Sequence, residues 1–304
     1  MGIIIAVLLF SFIIIFHELG HFLLAKKNGI RVDEFSLGLG PTLLGKQIGE
    51  TKFSLKLLPF GGACMMGEDD ADDLSEGSFN SKSVWARMSV VAAGPIFNLI
   101  LACVFCFILI MITGYRSPEI TGVLDGYSAQ EEGLQAGDVI TEINGRNVHI
   151  WDDVSLYTMT HADEAPFKVE YERDGKKYTA KLEPRQLEGD AAPLLGVTSG
   201  DIVKPGIFKS VEYSIYKVKY WMNYTVDSLR MLVTGQAGLK DLSGPVGIVN
   251  AVDDMYQEAA PAGFGVVMLS MMNFGVLLTT NLGILNLLPL PALDGGTSHP
   301  LIFQ

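Results

Sequence analysis

The amino-terminal segment constrains this chain most, because an otherwise apolar run contains the sequence His17-Glu18-Leu19-Gly20-His21. The run extends from Gly2 to Ala25, and at about 1.5 Å per helical residue it reaches roughly 36 Å, enough to cross a bilayer. Ionisable side chains are costly to place inside a membrane, and those found there are functional by default. We therefore predict a spanning helix that carries an active or binding site.

The HExxH pattern places His17 and His21 on one helix face with Glu18 between them. Such histidines are typical zinc ligands, and the glutamate is typical of the general base of a metalloprotease. The alternative, histidines of an ordinary helix core, would leave polar groups unpaired on a buried turn. A catalytic zinc takes a third protein ligand, for which Asp294 at the end of another apolar run is a candidate, although an acidic residue at a helix end is equally compatible with that position.

Two further apolar runs, Met88 to Tyr115 and Phe264 to Leu288, exceed the roughly 20 residues that a spanning helix needs. Basic residues near spans mark the cytoplasmic side of a membrane. The loop of residues 26–87 is therefore predicted to be cytoplasmic, and the polar region from about 116 to 263 is predicted to lie outside, in a multi-pass protein of the cell membrane. The basic residues that flank this loop are Lys26, Lys27, Arg31, Lys82 and Arg87.

The polar region contains a candidate domain at residues 120–183, with short β-rich runs and a hairpin turn at Asp174-Gly175. Its phrase from Gly133 to Gly145 resembles the PDZ domains of membrane proteases. Ser210 to Thr234 is too polar to span, which fits either an amphipathic helix at the membrane surface or a soluble packing helix. The net charge of -12 argues against a nucleic-acid partner, because binding phosphates needs clustered Lys and Arg.

The alternating run from Thr51 to Leu57 predicts a strand in the cytoplasmic loop. The strand either belongs to a small covering sheet or offers a free edge that can pair with an extended peptide. The run itself favours neither interpretation.

Together, HELGH in the first run and the segment Asn286 to Gly296 (NLLPLPALDGG) in the last run resemble the site-2 protease family of intramembrane zinc metalloproteases, of peptidase M50 type. The PDZ-like insert places the resemblance closest to the bacterial branch that regulates sigma factors by cleaving anti-sigma factors. The resemblance extends over nearly the whole chain. It also includes Gly38 to Pro41, Leu58 to Gly62, Gly67-Glu68, Ala93 to Asn98 and Leu242 to Ile248.

The resemblance implies a multi-pass α-helical membrane protein with a membrane-associated β-loop and an inserted extracytoplasmic PDZ-like α/β domain. It assigns residues 1–115 to the first two spans and the β-loop, 116–190 to the PDZ-like domain, 191–263 to a linker with an amphipathic helix, and 264–304 to the third span with the LDGG motif. In the family a further hydrophobic helix follows this motif, whereas Thr297 to Gln304 are too short to span. The sequence is therefore expected to be a fragment or a shortened variant.

The resemblance also implies the roles of single residues. A zinc ion would be held by His17, His21 and Asp294, with Glu18 as the general base. Residues expected to position the substrate or stabilise the transition state are Asn281, Asn286, Phe53 and Leu55, the last two on a β-loop that clamps an extended substrate.

The expected function is hydrolysis of peptide bonds in membrane-spanning proteins, with release of a regulator such as an anti-sigma factor. The expected partners are a transmembrane protein substrate and the lipid bilayer. The alternative is a catalytically impaired, membrane-anchored PDZ scaffold. Retention of His17, Glu18 and His21 favours the enzyme.

Overall fold

A computed structural model of the chain describes residues 2–67, 75–188, 191–238 and 244–288. The chain divides into two compact units, one of residues 1–105 with 238–304 and the other of residues 106–237. The candidate HExxH segment lies in the first unit, and the candidate PDZ-like domain lies in the second.

The elements follow one another along the chain in this order. The helices are α1 (Gly2–Lys27), α2 (Val84–Thr113), α3 (Ser128–Glu131), α4 (Trp151–Thr160), α5 (Ile207–Val233), α6 (Pro245–Ala259) and α7 (Phe264–Leu287). The strands are β1 (Glu34–Ile48), β2 (Thr51–Met65), β3 (Tyr115–Arg116), β4 (Gly122–Val123), β5 (Val139–Ile143), β6 (Arg146–Asn147), β7 (Phe167–Arg173), β8 (Lys176–Leu182), β9 (Val197–Thr198) and β10 (Ile202–Val203). Single 3-10 turns occupy Ala162–Glu164 and Ala260–Ala262.

Helices α1, α2 and α7 are long and apolar enough to cross a membrane, which confirms the three apolar helices predicted from the sequence. At most 39% of the most apolar stretch of each helix is buried within the protein. Most of each stretch is therefore at least partly uncovered by the protein, which suits contact with lipid and would be unfavourable in water. Helix α1 ends in Lys26 and Lys27, two cations at the negative end of its dipole.

Strands β1 and β2 form a sheet in which both strands bend. The first part of β1 lies between the two ends of β2, so that Phe35 is opposite both Phe53 and Cys64. The second part of β1 pairs with the other side of the Phe53 segment, through Lys46. Residues 52–55 are therefore paired on both sides, whereas residues 62–65 pair with β1 on one side within the described part of the chain.

This sheet lies along helix α1. The side chain of Ser11 contacts the carbonyl oxygen of Pro59, and Nζ of Lys26 is 3.6 Å from a carboxylate oxygen of Glu50. Ser11 and Lys26 are separated by roughly 22 Å of helix, a large part of the thickness of a bilayer core. The sheet also exposes large apolar side chains, as expected if it meets lipid. These include Leu39, Leu43, Leu44, Leu57 and Leu58.

Two apolar clusters stabilise the first unit. One joins the end of α1 to the β1–β2 sheet and to α2, and includes Ala25, Phe35 and Val90. The other packs α6 between α1 and α7, and includes Ala6, Val252 and Met271. Together they hold α1 against the elements that surround the HExxH segment.

The second unit contains a four-stranded sheet of order β6-β5-β7-β8 with α3 and α4. Its core includes Ile140, Ile143, Phe167 and Leu182, all fully buried. The hairpin between β7 and β8 turns at Asp174 and Gly175, with φ of 52° and 73°. Positive φ at both positions is typical of the tight turns that Asp-Gly favours, and this explains why the hairpin could be predicted.

Helix α5 is held to this sheet domain by a buried ion pair. Asp227 of α5 is 2% exposed and accepts two hydrogen bonds from Arg146, of 2.6 and 2.9 Å. Arg230, one turn further along α5, donates to the carbonyl oxygen of Thr160 at 3.1 Å. The segment from Ser210 to Thr234, for which a membrane-surface helix and a packing helix were both expected, therefore packs within the second unit.

Candidate metal centre

His17 and His21 lie one turn apart on the buried face of α1, 4% and 7% exposed. Their Nε2 atoms are 3.2 Å apart. Two nitrogens bound to one zinc at about 2.0–2.1 Å in tetrahedral geometry would be about 3.3 Å apart. The two imidazoles therefore fit two corners of a zinc tetrahedron as they stand.

Glycines allow the backbone of α2 to approach these nitrogens. A Cβ at Gly94 would lie 2.3 Å from Nε2 of His21 and 2.7 Å from Nε2 of His17. On the facing helix, a Cβ at Gly20 would lie 2.6 Å from the carbonyl oxygen of Ala93. A larger residue at position 94 would fill the space that a metal needs.

The Nδ1 atoms of both histidines contact groups of α2. Nδ1 of His21 donates to the carbonyl oxygen of Val90 at 2.8 Å. Nδ1 of His17 lies 3.0 Å from the Asn98 side-chain amide, which is fully buried. Such partners on the far ring nitrogen fix the orientation of metal-binding histidines.

Glu18 is turned toward the β1–β2 sheet. Its Oε2 accepts a hydrogen bond of 3.0 Å from the backbone N–H of Cys64. Cys64 lies on the segment of β2 that is paired with β1 on one side. The glutamate is therefore adjacent to the first histidine in sequence and bonded to a sheet edge.

Helix α7 brings Asn286 to the same place, with Nδ2 3.2 Å from Nε2 of His17. Asn281 lies five residues earlier on α7 and is half-buried. The predicted third ligand, Asp294, lies outside the described residues. Within the described part of the chain, no group of three or more His, Cys, Asp and Glu side chains could hold a metal.

The two residues predicted to contact substrate on the β-loop differ in their surroundings. Phe53 packs against Phe22 and Phe35, with ring centroids 5.7 and 5.9 Å apart. Leu55 is 42% exposed. Both lie on the segment that β1 flanks on each side, whereas Cys64, which contacts Glu18, lies on the segment that β1 flanks on one side.

Sequence reasoning missed the parts that Cys64, Gly94 and Asn98 play around the histidines. Gly94 and Asn98 belong to the segment Ala93 to Asn98, which carries part of the family resemblance. Their spacing of four residues on one helix could have indicated that both face the same neighbour. The contact of Cys64 had no such signal, because it is made through the backbone.

Comparisons with known proteins agree with this geometry. The sequence profile described as Peptidase family M50 matches residues 5–303. A relative from Clostridium acetobutylicum is 38% identical over 303 residues, which cover 100% of this chain and 87% of that protein. The regulator of sigma-W protease RasP of Bacillus subtilis is 30% identical, over 95% of this chain and 86% of its own length. The zinc metalloprotease RasP of Bacillus licheniformis is also 30% identical, over 95% of this chain and 87% of its own length.

Among solved structures, the PDZ domain of the SdrC-like protein from Listeria monocytogenes is similar to part of this chain. It is 24% identical, with a TM-score of 0.23, over 29% of this chain and 87% of that domain. The profile match and the relatives cover nearly the whole sequence, and they show that the chain belongs to peptidase family M50, the metalloproteases.

Proposed function

We propose that this protein is a zinc endopeptidase of the membrane, which hydrolyses peptide bonds of membrane-spanning proteins with the HExxH segment of α1. The observation that carries the proposal is the buried pair His17 and His21, with Nε2 atoms 3.2 Å apart, inside a helix that is long and apolar enough to cross a bilayer. A soluble zinc peptidase has no need of such a helix around its metal ligands.

His17 and His21 would hold the zinc through Nε2, and Asp294 is proposed as the third ligand. Bound zinc supplies Lewis acidity, which acidifies water and polarises a peptide carbonyl. Glu18 takes the proton of the attacking water and passes it to the leaving nitrogen. Asn286 would donate a hydrogen bond to the reacting carbonyl as its charge develops, and its contact with Nε2 of His17 supports this role.

The substrate would be bound as an extended strand, because a helical segment keeps its carbonyl groups in internal hydrogen bonds. Residues 62–65 of β2 support this, since within the described ranges their strand neighbour is β1, on one side, and Cys64 touches Glu18. A Cβ at Gly62 would lie 3.5 Å from Cγ of Glu18, so the strand passes close to the base. Addition of a substrate strand at this edge would bring a peptide bond to the site.

The proposed protein crosses the cell membrane several times through α1, α2 and α7, with residues 26–87 on the cytoplasmic side. The PDZ-like domain of the second unit lies outside and selects which substrates reach the site. Deletion of residues 120–183 should then leave zinc bound while widening the range of substrates cut.

The biological role we propose is release of a membrane-held regulator such as an anti-sigma factor. The support is the name of the Bacillus subtilis relative, a regulator of sigma-W protease. The substrate itself would be a transmembrane protein already shortened outside the membrane.

Cleavage of a transmembrane segment in vesicles tests the proposal. Purified protein and a single-span substrate are reconstituted together, and the products are mapped by mass spectrometry. We expect a cut within or beside the apolar segment, its loss on chelation and its return with zinc. Glu18→Gln should slow cleavage by roughly 10²-fold or more.

Two results would argue against the proposal. Cleavage by Glu18→Gln at the wild-type rate would remove Glu18 from the mechanism. A zinc-loaded wild-type protein that binds such substrates and cuts none of them would favour a membrane-anchored PDZ scaffold.

A further inference from the structure

The two histidines differ in the group that contacts Nδ1, the ring nitrogen on the far side from the proposed zinc. The carbonyl oxygen of Val90 can only accept a hydrogen bond, so Nδ1 of His21 carries the proton. In a neutral imidazole this leaves Nε2 of His21 with a free electron pair. His21 is thus held by the backbone in the form that binds a metal.

His17 needs the same arrangement, and its partner is a side chain. If Nε2 of His17 binds zinc, Nδ1 must carry the proton and needs an acceptor. The atom of Asn98 that lies 3.0 Å from Nδ1 in the structure is the amide nitrogen Nδ2, which can only donate, whereas the amide oxygen of the same side chain can accept. Nδ2 of Asn286, 3.2 Å from Nε2 of His17, is consistent with this form, because an amide N–H can donate to a free electron pair.

We infer that Asn98 is a positioning residue for the metal: its Oδ1 accepts a hydrogen bond from Nδ1 of His17 and so directs the electron pair of Nε2 toward the zinc. This inference rests on the proposed zinc site. A half-turn of the amide exchanges its oxygen and nitrogen within the same volume. Among the described residues Oδ1 of Asn98 has no hydrogen-bond partner as it stands, so the half-turn breaks no bond of that oxygen there and replaces the contact of Nδ2 with Nδ1 of His17 by one of Oδ1.

The surroundings of Asn98 suit such a role. Its backbone carbonyl accepts a hydrogen bond of 3.1 Å from Thr279 of α7. A Cβ at Gly283 would lie 3.4 Å from Cβ of Asn98, so α7 passes directly over this residue. Asn98 of α2 is fully buried and contacts both α1 and α7, and its amide therefore has little freedom to leave His17.

Zinc affinity of three variants of the 304-residue chain in detergent, measured by competition with a chelator, tests the inference. In Asn98→Leu no acceptor remains, and we expect the affinity to fall by roughly 10- to 100-fold. In Asn98→Asp the carboxylate can accept but cannot donate, and the affinity should stay within about threefold of wild type or increase. Thr279→Val removes a hydrogen bond to the backbone carbonyl of Asn98 but leaves the side-chain amide in place, so it should leave the affinity unchanged.

The absorption spectrum of the cobalt-substituted proteins supplies a second readout, since it reports the geometry around the metal. Asn98→Asp should keep the wild-type spectrum. Equal loss of affinity in Asn98→Asp and Asn98→Leu would overturn the acceptor role, as would wild-type affinity in a folded Asn98→Leu. A wild-type chain that binds no zinc would instead overturn the proposed site and this inference with it.

Discussion

The backbone N–H of Cys64 donates a hydrogen bond of 3.0 Å to Oε2 of Glu18 and thereby joins the proposed general base to the edge of the β1–β2 sheet. Cys64 pairs with Phe35 of β1 on its other side. A substrate strand added at this edge would therefore lie beside the carboxylate. The contact also limits the rotation of Glu18 while no substrate is bound.

Proline at position 64 should impair cleavage and leave zinc in place. Proline has no N–H, so Cys64→Pro removes the hydrogen bond to Glu18, and an edge strand tolerates proline where its N–H points away from the sheet. We expect slower cleavage of a transmembrane substrate, measured together with zinc content. The matched control is Cys64→Ala, which keeps the N–H and should cut at close to the wild-type rate. Equal activity of the two variants would contradict a role for this bond.

A methyl group at position 94 should abolish metal binding. The added Cβ of Gly94→Ala would meet both Nε2 atoms at under 3 Å, where the metal has to lie. We expect zinc content to fall close to zero, as determined by elemental analysis of the purified protein. Gly265→Ala is the control, because a Cβ there meets nothing within 4 Å. Normal zinc in Gly94→Ala would show that the metal binds elsewhere.

Several features of this protein could be predicted from the sequence because they are local. HExxH on one apolar helix gave the facing histidines, and Asp-Gly between alternating runs gave the β7–β8 hairpin. The pairing of the strand segment that contains Phe53 could not be predicted from local sequence. Whether a strand has a neighbour on one side or on both depends on how β1 and β2 bend, and nothing in the alternation of residues 51–57 records that. Contacts made between helices, such as that of Asn98 with His17, could not be predicted either, because they depend on how the helices pack.

The second unit should lose stability in acid through one carboxylate. Burial raises the pKa of Asp138, but hydrogen bonds from Arg173 and from the N–H of Gln135 outweigh it and hold the pKa below its ordinary value of 3.8. Because the pKa is lower in the folded state, the carboxylate stabilises this unit fully at pH values above its ordinary pKa of 3.8. This stabilisation is lost as the pH falls from there through the folded-state pKa. Arg173→Met should destabilise this unit at neutral pH, since the buried carboxylate of Asp138 would lose its charged partner and keep only the hydrogen bond from the N–H of Gln135.

The difference between wild type and Arg173→Met should shrink below about pH 4, because protonated Asp138 no longer needs the arginine. Hydrogen exchange of the β5 amides, measured on the 304-residue chain, gives this difference in stability. A difference that stays constant from pH 7 to pH 3 would mean that Arg173 acts through packing alone.

The topology can be tested by labelling cysteines from either side of the membrane. In a chain whose three cysteines are replaced by alanine, Glu50→Cys should react only with a reagent in the cytoplasm, since basic residues flank residues 26–87. Asp174→Cys, in the exposed hairpin turn of the second unit, should react only from outside. The opposite pattern would reverse the orientation and the side on which products are released.

Zinc content of the histidine variants tests the central claim most directly. The purified wild-type chain should carry about one zinc ion, and His17→Ala and His21→Ala should each lose it, because the proposed site takes two of its three protein ligands from α1. His149→Ala, which changes a histidine stacked on Tyr216 in the second unit, should retain the metal. A full complement of zinc in the double variant of His17 and His21 would contradict the account.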